Sequence, residues 1–187
     1  MMIAFFPFLS YNYRVNDIEV TFLKLSDMVR CGICSALMAV CAWLAVPIGD
    51  TVITMQTFGV LFSLGYLGGK KGTIACCVYL LLGTMGVPVF AGFQGGIGIL
   101  LGPTGGYLFG FMLTCLSYWF FERRLPKWLN MAMGLSLCYI CGSSWFYFVY
   151  TDVGILVLIM KCVVPYLLPD ACKLTLALMV SKRIQSY

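Results

Sequence analysis

The stretch PYLLPDACKLTLALMV, residues 165–180, sets an acid and an amine three positions apart in an otherwise apolar run. At helical spacing Asp170 and Lys173 share one face. Ionisable groups at membrane depth are functional candidates by default, and they face a bundle interior rather than lipid. An acceptor beside a donor can hold an NH–C=O group from both ends, so the couple reads as a polar clamp for a small neutral or anionic ligand. The plainer reading is an ion pair that satisfies only itself at the membrane boundary. Proline suits a helix start and not a helix interior, so the last helix is expected to begin near Pro169. Asp170 would then lie at the positive end of its dipole.

A second chemical stretch is VFAGFQGGIGILLGPTGGYLFGF, residues 89–111, with eight glycines and a proline. Non-helical backbone cannot face lipid, because its polar groups would lack partners. The stretch must therefore be a helix end, a loop folded within protein, and a new helix start near Pro103 and Thr104. Gly92, Gly95, Gly96 and Gly98 let backbone approach a ligand. Gly106 and Gly110 would open a smooth face for close helix contact. Trp43, Tyr79, Phe90, Phe93, Tyr107, Tyr139 and Trp145 are abundant enough to wall a site, and Phe90, Phe93 and Tyr107 carry most weight because they are expected near the extracytoplasmic end.

Other chemistries find little support. Histidine is absent, which removes the commonest general base and metal ligand. Cys31/Cys34 and Cys138/Cys141 have CxxC spacing, but both pairs lie in apolar spans where cysteine acts as a small hydrophobe. Neither a metal nor another cofactor is implied. GxGxxG does not occur, and GGKKGT at residues 68–73 lacks the spacing of a P-loop. The chain by itself therefore has no motif for ATP hydrolysis, and nothing points to nucleic acid.

The elements that hold these residues follow from composition. The chain has 187 residues, 61% hydrophobic and 10% charged, with mean hydropathy +0.96; soluble proteins carry about 25% charged residues. Apolar runs recur to the C-terminus, so the fold class is all-α: a polytopic membrane protein with a bundle of six transmembrane helices. A signal-peptide reading of residues 1–10 fails for want of a small-residue cleavage site. The spans are expected at about 31–48, 55–67, 73–89, 104–121 and 128–150, with a last one from Pro169 to about residue 180 preceded by a short approach segment. Arg14, Lys24, Arg30, Lys70, Lys71, Arg123, Arg124, Lys127, Lys182 and Arg183 then fall on one side, which puts both termini in the cytoplasm. Asp50, Asp152, Lys161 and Lys173 fall toward the other. Residues 1–27 form an N-terminal extension, read either as an interfacial segment or as a disordered tail, and residues 28–187 form the six-helix membrane domain.

Three segments resemble the BioY family, the biotin-specific substrate-binding subunits of energy-coupling-factor transporters. They are TVITMQTFGVLFSLGYLGGKKGT (51–73), YLLLGTMGVPVFAGFQGGIGILLGPTGGYLFGF (79–111) and PYLLPDACKL (165–174). The likeness runs from about residue 28 to residue 183. It implies a six-helix subunit of the cell membrane that captures biotin from outside, under a lid between helices one and two, here residues 50–56. It further implies that Asp170 and Lys173 bind the ureido ring and that the loop through Phe90, Gly92, Phe93 and Gly95 lines the pocket, with Gln56 and Tyr107 as further wall residues. The partners implied are two ATPase subunits and a transmembrane coupling protein, met through small residues of helix one: the pairs Gly32/Ala36 and Ser35/Ala39. Two features depart from the family pattern, Pro169 where glycine usually precedes the aspartate and a longer N-terminal extension. The alternatives are a related subunit for another vitamin and a membrane-embedded, cysteine-dependent enzyme.

Overall fold

The computed structural model describes residues 24–48, 51–149, 154, 159–160 and 163–186. The extension before residue 24, Asp50, Asp152, Lys161 and most of the approach to the last helix lie outside the described residues.

The first helix, α1 (Leu25–Trp43), starts and stops about five residues earlier than expected. Asp27 in its first turn suits the positive helix end and pairs with Lys71 at 2.7 Å. The helix stops where Val46, Pro47 and Ile48 follow: a proline would clash inside it, and the residue before a proline avoids helical geometry. Instead β1 (Ala45–Ile48) pairs antiparallel with β2 (Thr51–Thr54), Val46 opposite Ile53. The all-α expectation is corrected to this extent: the connection between the first two helices is a β-hairpin.

Helix α2 (Gln56–Leu67) is separated from α3 (Gly69–Thr84) by Gly68 alone, whose φ of 80° a side chain would resist. Gly69 lies so close to the fifth helix that a Cβ there would sit 2.5 Å from the Trp119 Cα. A 3-10 turn (Ala91–Phe93) and the short α4 (Ile97–Leu101) lie within the glycine stretch, followed by α5 (Gly105–Phe121) and α6 (Lys127–Val149). As the small-residue pattern predicts, Gly106 and Gly110 face α6: a Cβ would lie 2.2 Å from the Trp145 Cβ and 2.8 Å from the Cys138 Sγ. Thr114 and Gly134 add a hydrogen bond across the same contact, 2.7 Å.

The last helix, α7 (Val164–Gln185), begins at Val164 and not at Pro169. Pro165 takes the first turn, where its missing N–H is no loss. Pro169 lies inside the helix and forgoes one backbone bond. Asp170 is thus in the second turn, farther from the dipole's positive end than expected. Among the described residues, α1, α6 and α7 are long and apolar enough to cross a membrane, and α5 is apolar but shorter. The core between them includes Cys31, Cys34, Cys76, Cys115 and Cys138, which pack as free thiols.

Candidate functional site

Asp170 and Lys173 stand on one face of α7 and are 3% and 5% exposed. The lysine Nζ lies 2.6 Å from Asp170 Oδ1. Two further donors arrive from other helices. The Thr57 hydroxyl, in the first turn of α2, donates to the same Oδ1 at 3.1 Å and lies 3.4 Å from the lysine Nζ. The Tyr139 hydroxyl of α6 donates to Oδ2 at 2.6 Å. Charges taken out of water are costly unless paired and hydrogen-bonded, and here both carboxylate oxygens are met. Removing one member of such a buried pair costs about 3–5 kcal/mol, because the other is left uncompensated.

Gln56, the neighbour of Thr57, turns the other way. Its side-chain amide donates to the Tyr79 hydroxyl at 2.6 Å, which in turn donates to the Val89 carbonyl at 3.2 Å. The Tyr79 ring meets Phe90 edge-on at 5.6 Å, and Phe90 fills the space a Cβ on Gly83 would need, 2.1 Å from its Cζ. Two consecutive residues of α2 therefore join the acid–amine couple to the root of the glycine loop. Gln56 and Phe90 are both buried, acting as that link.

The loop itself is tightly turned. Phe90 and Gln94 form a β-bridge. Gly92 has φ 70° and Phe93 φ 58°, the latter in a region that only glycine enters without strain. Gly95 packs so close to the Val87 carbonyl that a Cβ would approach within 2.4 Å. Phe93 is exposed and stacks on Trp43 at 4.9 Å, while the Trp43 indole N–H donates to the Pro88 carbonyl at 2.9 Å. Together they tie the end of α1 to the loop.

Tyr107 is half-buried, over Gly142 of α6 and 6.4 Å from Tyr166, which stands one turn before Asp170 on α7. The expected small pairs on α1 part company. Ser35 and Ala39 are buried, and the Ser35 hydroxyl donates to the Ala75 carbonyl of α3 at 2.8 Å. Gly32 and Ala36 are exposed, and nothing lies within 4 Å of a Cβ on Gly32.

Sequence reasoning named Tyr139 only among many aromatics and did not name Thr57. The available signal was helical phase: Thr57 opens the helix after the hairpin, beside the already suspected Gln56. What was missing is that its partner stands 113 positions away.

A profile of the BioY family matches residues 14–187. The biotin transporter BioY of Thermotoga maritima is 35% identical over 165 residues, covering 86% of this chain and 96% of that protein. The probable biotin transporter BioY of Pyrococcus horikoshii is 34% identical over 163 residues, covering 87% and 98%. Among solved structures, the S-component for biotin from an ECF-type ABC transporter matches with a TM-score of 0.76 at 24% identity, over 87% of this chain and 92% of that one. At that identity the likeness establishes the fold. With its apolar helices and these relatives, the chain is a multi-pass membrane protein.

Proposed function

We propose that this chain, which belongs to the BioY family, captures biotin for uptake as the substrate-binding subunit of an energy-coupling importer. One observation carries the reading: a carboxylate and an ammonium, nearly inaccessible and 2.6 Å apart, meet donors from two other helices inside an apolar bundle. The ureido group of biotin offers two N–H donors and one carbonyl acceptor. Asp170 accepts from the N–H side and Lys173 donates to the carbonyl. Tyr139 and Thr57 hold the carboxylate in place while this exchange occurs. Because these polar groups would be left unpaired by an analogue without the N–H groups, the site rejects such analogues strongly. Phe90, Gly92, Phe93, Gly95, Gln56 and Tyr107 form the surrounding wall, either in contact with the rings or as the links that shape the loop.

Entry of the ligand requires the segment over the site to move. The hairpin Ala45–Thr54 leads directly into Gln56 and Thr57, so its displacement would loosen both the acid and the glycine loop. In this reading α2, α3 and α5 join α1, α6 and α7 as six spans. The cationic ends carrying Lys70, Lys71, Arg123, Arg124, Lys182 and Arg183 lie in the cytoplasm, with both termini, and the ligand site opens outside. Energy comes from ATPase partners through a transmembrane coupling subunit. Gly32 and Ala36 are the small pair on α1 that remains exposed to meet it, since Ser35 and Ala39 are buried and the Ser35 hydroxyl is committed to the Ala75 carbonyl of α3.

Labelled biotin binding to the purified protein tests the proposal. Binding is expected for the native chain and loss of it for Asp170→Asn and Lys173→Ala, with competition by biotin exceeding that of other vitamins. Binding that survives both substitutions sinks the reading. Preferential competition by a different vitamin supports the related-subunit alternative.

A further inference from the structure

The last two turns of α5 present Leu116, Trp119 and Phe120 on one side, with exposures of 44%, 47% and 67%. With Ser117 and Phe121 they line an open groove of about 660 Å³. The Ser117 hydroxyl donates to the Thr114 carbonyl at 2.9 Å, and the groove wall is mostly apolar. Arg123 and Arg124 follow the helix directly. The Arg124 guanidinium carbon stands 5.4 Å from the centre of the Phe120 ring, so its charge sits at the mouth of the groove. Lys70 is adjacent, because Gly69 packs on the Trp119 backbone. The neighbouring acid, Glu122, is committed elsewhere: its Oε1 accepts the Gly69 N–H at 3.0 Å. Among the described residues, neither Arg123 nor Arg124 is ion-paired.

We propose that this groove seats one acyl chain of an anionic phospholipid whose phosphate rests on Arg124 and Arg123. Charge complementarity selects the occupant. Helices that pack in membranes approach through small residues, whereas this wall is built of tryptophan, phenylalanine and leucine. A flexible chain fills such a groove, and cations at its mouth favour an anionic headgroup. The site is separate from the ligand site, and the inference does not depend on the identity of the transported molecule.

Native mass spectrometry of the full chain in detergent tests it, with phosphatidylglycerol and phosphatidylcholine of matched acyl chains as probes. Phosphatidylglycerol adducts are expected to exceed phosphatidylcholine adducts by roughly fivefold, with the preference abolished at about 1 M salt. The double variant Arg123→Gln/Arg124→Gln should bind both lipids equally and keep native biotin binding. Phe120→Ala should weaken both lipids. If the arginine variant misfolds, the salt dependence of the native protein decides alone. Equal retention of the two lipids by the native chain, or a preference indifferent to the arginines, overturns the proposal. So does equal retention combined with loss of partner-subunit association in the arginine variant, which would make this a protein-docking surface.

Discussion

Asp170 makes the demands that the rest of the site answers. Its Oδ1 takes the lysine and the Thr57 hydroxyl, and its Oδ2 takes the Tyr139 hydroxyl. Both lone pairs of Oδ1 are thus engaged, while Oδ2 retains one for a ligand N–H, so Tyr139 serves to fix the carboxylate's orientation and need not leave. Hydrogen bonds to charged groups contribute about 1.5–3 kcal/mol. Tyr139→Phe is therefore expected to weaken biotin binding by roughly tenfold or more, read by labelled-ligand titration; an unaltered affinity would deny the hydroxyl an orienting role. The couple itself was legible in the sequence, because an acid and an amine one turn apart in an apolar run have few structural reasons to be there. Thr57 was not: a hydroxyl at a helix start is ordinarily a local device, and nothing nearby in the chain reveals a partner on α7.

At the scale of elements, glycine decides where helices touch. Gly110 admits the backbone of α6, with a Cβ position 2.8 Å from a sulfur and 2.9 Å from a Cα, whereas Gly32 on α1 has open space. Gly110→Leu should lower the melting temperature of the detergent-solubilised protein, since overpacking costs about 1–3 kcal/mol. Gly32→Leu should leave melting and biotin binding unchanged while weakening association with the coupling subunit, measured by co-purification. Unchanged association would remove Gly32 from the partner surface. The hairpin was the element the sequence reading missed, although its signal was present: β-branched residues on both sides of Gly49–Asp50. Hydropathy alone absorbed Val46 and Ile48 into the preceding span. The start of α7 was misplaced for the converse reason, since Pro169 looked like a boundary while Pro165 had already supplied one.

For the whole molecule, the proposed orientation places the segments that carry Lys70, Lys71, Arg123, Arg124, Lys182 and Arg183 on the cytoplasmic side. In a chain with all cysteines replaced, a single cysteine at Ser186 should react with a membrane-impermeant maleimide only after cell lysis. Labelling in intact cells would invert the topology. The same cysteine-free chain should still bind biotin, and loss of binding that no refolding or melting defect explains would revive a thiol-dependent activity.

Composition, hydropathy and the placement of charge determined by themselves that this chain is a helical membrane protein with a buried acid–amine couple. These properties depend on what each stretch must hide from water or lipid, which is local and additive along the chain. Tertiary structure alone decided that Thr57 and Tyr139 converge on that acid. It also decided that Gln56 reaches Tyr79 and through it the root of the glycine loop, and that one small-residue pair of α1 is buried, with Ser35 bonded to α3, while the other stays exposed. Those outcomes depend on helix phase and on contacts across 20 to 120 positions, where a shift of one residue in any helix turns a side chain by about 100°.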